Sequence, residues 1–140
     1  MYEVDRERIE EVLSYIVRDV NRIESEDIGN IEHLKNSYKE YYFLSMALFN
    51  VMNHCITLGE EIVDKLGKAA RVKTYKDIPV VLYEQEILTK ELRQWFLEFI
   101  TYRNNLAHEY DNIYEEEIFW CLQHLGYVKQ FLVIVKRELL

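Results

Sequence analysis

A chain of 140 residues, 49% hydrophobic and 30% charged, is long enough to bury one core and too apolar to be disordered. Its net charge of −8 excludes a surface that grips nucleic acid indiscriminately, because affinity for phosphates comes from clustered Lys and Arg; a local basic site stays open. With one Pro and four Gly, the chain has few breakers, which predicts long helices within a single domain, residues 1–140.

From about Val4 to Glu24, Ile9, Val12, Leu13, Ile16, Val20 and Ile23 recur at helical spacing and predict an amphipathic helix. Ser25 to Asn30, with Gly29, breaks it, and Asn30 can cap the next helix. That second helix is expected to run from about Ile31 to Leu66, with Leu34, Tyr38, Tyr41, Leu48, Met52, Cys55, Ile62 and Leu66 in phase. Between Tyr41 and Leu58 it is apolar almost all round, as befits a central helix. Gly67 supplies a stop. Asp77-Ile78-Pro79, a capping residue with Pro in the first turn, begins a short helix to about Leu88. Thr89 caps a fourth helix carrying Leu92, Trp95, Phe96, Phe99 and Ile100, then Arg103. After the turn Asp111-Asn112 comes a fifth, with Glu115, Glu116 and Glu117 at the positive end of its dipole and Cys121, Leu125, Val128, Leu132, Val135 and Leu139 as its buried stripe. Nothing reads as a strand pair, so the expected fold is all-α, a four-to-five-helix antiparallel bundle.

Residues 1–11 are crowded with charge, and the longest apolar runs, such as Phe131 to Val135, fall far short of the roughly 20 residues of a bilayer span. No signal peptide or membrane contact is expected, and the chain reads as cytoplasmic. Cys55 and Cys121 lie far apart without a CxxC and read as buried hydrophobes. No His has a Glu three residues before it, so the signature of carboxylate–metal bundles is missing; neither metal nor cofactor is expected. His33 and His124 read as surface residues and His54 as a satisfied core histidine. Charge is unevenly spread. Lys65, Lys68, Arg71, Lys73 and Lys76 form a stretch without acids, either a solvated helix end or a track for an RNA backbone; Glu109, Asp111, Glu115, Glu116 and Glu117 form one without bases, which opposes RNA nearby.

The fourth helix holds an oddity. Arg103 continues the stripe Leu92, Phe96, Phe99, so a permanent cation stands where the pattern calls for a hydrophobe; it either snorkels and pairs with an acid or serves a site. Arg-x4-His alone is weak, since chance supplies roughly 0.7 Arg–His pairs at such separations in this composition. The surrounding run R-N-N-L-A-H-E-Y at 103–110, at a helix end, says more. On an ideal helix Arg103 and His108 stand roughly 140° apart. Either the helix frays near Leu106, or the site is assembled from two copies.

The run resembles the motif of the HEPN superfamily, Arg-x4-6-His, in the longer R-N-x-x-x-H-x-Y form of its HepT branch, matched here by Arg103, Asn104, His108 and Tyr110. Cys55 to Glu60 is similar to the branch's central helix, and Tyr75 to Leu88 to its short third helix, so the resemblance covers about residues 30–140. It implies a metal-independent ribonuclease toxin acting through the substrate's 2′-hydroxyl. His108 would be general base or acid, since histidine moves protons near neutral pH. Arg103 would clamp the phosphate and stabilise its added charge. Asn104 would position them. The resemblance further implies a homodimer whose motif helices line one cleft. It also implies a minimal nucleotidyltransferase antitoxin of the MntA type, which adds AMP to Tyr110. Tyr110 can equally close the helix end. The alternative is an inactive HEPN partner subunit that binds a nucleotidyltransferase, a role an acidic protein fits.

Overall fold

The computed structural model describes residues 2–109 and 111–140. Among them are seven α-helices and no strand: α1 (Arg6–Ser25), α2 (Ile31–Lys35), α3 (Tyr38–Lys65), α4 (Asp77–Glu84), α5 (Lys90–His108), α6 (Glu115–Gln123) and α7 (Leu125–Leu139), with one 3-10 turn at Ala69–Arg71. The all-α bundle is as expected.

The centre is α3. It packs against α1, α2, α4, α5, α6 and α7 and buries Leu44, Leu48, Val51, Met52, Cys55, Leu58 and Ile62. The stripe of α1 lies along it, with Ile9, Ile16 and Ile23 buried. On the other side, Gly59 lets α4 and α5 approach: a Cβ there would stand 2.7 Å from Ile78 Cγ2 and 3.5 Å from Phe96. Phe96, Phe99 and Phe131 are fully buried and join α5 to α7.

Three boundaries differ from the sequence reading, each for a local reason. The second helix is two, because the Ser37 side chain accepts from the Glu40 backbone N–H and restarts the chain as α3. The fifth is also two: α6 and α7 are bent by 56° at His124, whose Nδ1 lies 2.7 Å from the Trp120 carbonyl while its ring stacks 4.3 Å from that of Trp120. His124 is therefore a half-buried corner residue and not a surface one. The short helix ends at Glu84, not Leu88, because Glu86 adopts φ 61° and the Ile87 N–H closes back on the Leu82 carbonyl. Gly67 stops α3 as expected, at φ +71°, with the Lys68 N–H on the Val63 carbonyl. His54 is half-buried against the Tyr15 ring, at 5.6 Å, and not in the core; burial pushes its pKa down. Both cysteines are free and buried. Among the described residues no single helix is long and apolar enough to cross a membrane.

Candidate active site

Thr89 caps α5 by accepting from the Leu92 N–H at 3.2 Å, and Leu92, Trp95, Phe96, Phe99 and Ile100 bury its first half. Past Ile100 the helix leaves the core without fraying, and its helical geometry continues through His108. Arg103 and Asn104 are half-buried there and His108 is exposed.

Arg103 neither snorkels nor meets an acid. Its Nε donates to Asn53 Oδ1 on α3 at 2.8 Å, and one Nη donates to Asn104 Oδ1 at 3.2 Å. Its guanidinium carbon lies 5.4 Å from the Phe49 ring centroid and 5.0 Å from that of Tyr75. Two amide oxygens and two aromatic rings hold the group without neutralising it, and the other Nη has no partner among the described residues. A cation oriented in this way suits an anionic ligand better than a buried carboxylate partner would allow.

The cleft beside it, about 470 Å³, is lined by Arg103, Asn104 and His108 together with Glu60, Tyr75 and the loop 72–74. One chain therefore brings the three motif residues to one cavity despite their angular separation on α5. The Asp77 carboxylate fixes the loop, accepting from the backbone N–H groups of Lys73 and Thr74 at 2.9 and 3.0 Å, and these bonds hold its pKa below the ordinary value. Asp77 was expected to cap α4; its carboxylate caps the preceding turn instead.

The basic stretch divides. Lys73 lines the cleft, whereas Lys65 donates to the Glu138 carbonyl at the end of α7, and Arg71 pairs with Glu84. Lys68, half-buried, and Lys76, exposed, do not line the cleft. The three glutamates that open α6 point elsewhere. Glu117 accepts from Asn105 Nδ2 at 3.0 Å and ties α6 to α5, and Glu115 and Glu116 line a separate depression with Lys35. Of the two adjacent asparagines, Asn104 of the motif serves Arg103 and its neighbour Asn105 serves the fold. Tyr110 lies outside the described residues. The loop after it is anchored where the Tyr114 N–H donates to the buried Tyr41 hydroxyl at 2.9 Å.

Asn53, Phe49 and Tyr75 went unnoticed in the sequence. Their signal is faint: Asn53 is a polar residue inside the apolar run of α3, and polar atoms in such places need partners. Among the described residues no three His, Cys, Asp or Glu side chains converge as a metal-binding group.

The fold recurs in solved structures. A tri-AMPylated HEPN toxin of Shewanella oneidensis in complex with MNT antitoxin superposes with a TM-score of 0.81 at 20% identity, covering 93% of this chain and 97% of that one. A toxin–antitoxin crystal structure with AMP-PNP gives 0.76 at 17% identity, covering 91% and 96%. YutE of Bacillus subtilis, described as a cytosolic protein of unknown function, gives 0.79 at 19%, covering 98% and 92%. No curated protein matches the chain. The family model described as "Ribonuclease HepT-like" matches residues 3–135. With nearly its whole length matched and the motif run at the end of α5, the chain belongs to the HepT-like ribonuclease family.

Proposed function

We propose that this protein is a metal-independent endoribonuclease and the toxin of a toxin–antitoxin pair. The observation that carries this reading is the shared cleft of Arg103, Asn104 and His108 in a chain of this family. The RNA 2′-hydroxyl attacks the adjacent phosphorus, the P–O5′ bond breaks, and a 2′,3′-cyclic phosphate and a 5′-hydroxyl remain. His108 takes the 2′ proton or supplies the one the 5′ oxygen needs. Arg103 stabilises the dianionic pentavalent phosphorus through the Nη that meets no partner among the described residues, and Asn104 keeps the guanidinium oriented. Lys73 is the member of the basic stretch assigned to the RNA backbone. The test is cleavage of RNA by the purified protein in EDTA. Arg103→Ala and His108→Ala are each expected to lose at least about 100-fold, and parent-like cutting by both would refute the roles.

Tyr110 is the proposed acceptor of AMP from a nucleotidyltransferase antitoxin, in line with the AMPylated state of the Shewanella toxin. A bulky anion two residues from His108 would repel and block RNA. Incubation with such an enzyme and ATP should add AMP to the wild type and not to Tyr110→Phe.

The functional unit is proposed to be a homodimer. Tyr38, Tyr42 and Met46 are 71%, 61% and 69% exposed along one face of α3, and that face meets Leu106 of the motif helix in an apolar groove. Met46→Glu should shift the protein toward monomer in light scattering. The net charge of −8 favours a second reading, an inactive subunit that binds a nucleotidyltransferase. Co-purification with that enzyme, and no RNA cleavage in any context, would select it.

A further inference from the structure

The cleft is longer than a phosphate site needs. α3 and α5 run antiparallel: Asn53 meets Arg103, whereas Gly59, farther along α3, lies against Phe96, farther back along α5. Glu60 stands two turns beyond Asn53 on the same face of α3, roughly 10 Å along the axis. His108 stands roughly 7.5 Å from Arg103 in the opposite direction along α5. The cleft therefore carries His108, Arg103 and Glu60 in that order, with the 40% exposed Tyr75 ring beside Arg103.

A carboxylate against an RNA backbone repels it. Against a base edge it is well placed, because its two oxygens accept two parallel N–H bonds. Of the four RNA bases, guanine alone presents two adjacent donors, N1–H and N2–H, on its Watson–Crick edge. Adenine and cytosine set a donor beside an acceptor, and uracil sets its donor between two acceptors. Unpaired bases are read on this edge and stacked on aromatic rings.

Resting on the ribonuclease reading above, we propose that Glu60 is a specificity residue that selects guanine in single-stranded RNA close to the phosphate held by Arg103, with Tyr75 stacking the neighbouring base. Glu60 has no hydrogen-bond or ion-pair partner among the described residues. Glu60 is exposed at the cleft rim; what burial it has, with Asp64 and Glu61 nearby, pushes its carboxyl above the ordinary carboxylate range against the opposing charge of Arg8.

The test is cut-site mapping on a random-sequence single-stranded RNA pool with wild type, Glu60→Gln and His108→Ala. Wild type is expected to cut at a fixed offset from guanine. Glu60→Gln, which has the same size but carries an amide N–H in place of one oxygen, should still cut but lose that preference by about tenfold or more. An oligonucleotide with inosine at the selected position lacks the N2 donor. Wild type should cut it about tenfold more slowly than the guanine form, and Glu60→Gln should not distinguish the two. Unchanged cut sites in Glu60→Gln, or wild-type cutting with no guanine at any fixed offset, would overturn the assignment and leave the ribonuclease reading standing. Wild type no more active than His108→Ala would remove that reading, and the assignment with it.

Discussion

Arg103 shows what one side chain needs before it can act on a phosphate. A guanidinium paired with a carboxylate is already neutralised, and one waving in solvent loses rotamer entropy on each encounter. Arg103 avoids both, held by Asn53, Asn104 and two rings. Asn53→Ala should therefore lower kcat by about tenfold, far less than Arg103→Ala, since Asn104 and the rings still hold the group; single-turnover cleavage checks this. Asp77 does similar work for the loop carrying Lys73 and Tyr75. Its folded pKa is depressed, so its contribution to stability is present above the unfolded value near ~3.9 and is lost as pH falls through the lower folded value. Asp77→Asn removes that dependence. The stability gap between wild type and variant, measured by urea unfolding, should be widest near neutral pH and should close at low pH.

At the scale of elements, caps decide where helices stop and restart. The Tyr38–Lys65 helix starts at Ser37 because a hydroxyl satisfies a first-turn N–H, and it stops at Gly67 because glycine tolerates a left-handed backbone. Glu86 ends α4 at φ 61° in the same closed geometry without that tolerance. Glu86→Gly should therefore raise the unfolding free energy by about 0.5–1 kcal/mol in urea denaturation, the αL relief outweighing glycine's larger unfolded-state entropy. Helical periodicity is blind to such events. Tyr38 and Leu34 keep phase across Asn36-Ser37, and Cys121 and Leu125 keep it across His124, so the apolar stripe reads as continuous where the backbone breaks.

At the scale of the molecule, the charges are sorted so that an acidic protein still presents a cationic cleft. Arg103 and Lys73 line it together with the single carboxylate of Glu60, Lys65 and Arg71 are engaged elsewhere, and Glu115 to Glu117 face another depression. Two phosphate contacts to single-stranded RNA predict a log–log salt slope of about −1.4 for binding of an uncleavable 2′-deoxy analogue. A slope steeper than about −3 would mean that the rest of the basic stretch also grips the backbone.

How much of this was legible in the chain depends on the range of each interaction. Helix content, the central helix, the buried stripes and the motif run at 103–110 depend on residues close in sequence, so composition and periodicity of 3.6 carry them. The company of Arg103 does not. Asn53 lies 50 residues away and Tyr75 28, and no local pattern announces that α3 and the loop before α4 meet the end of α5. From the residues alone came an all-helical chain that resembles this family, with an Arg in the apolar stripe near a helix end. Folding supplied the rest: it set Arg103 against Asn53 and Tyr75 and placed it with Asn104 and His108 along one cleft, because those contacts join residues far apart in the chain.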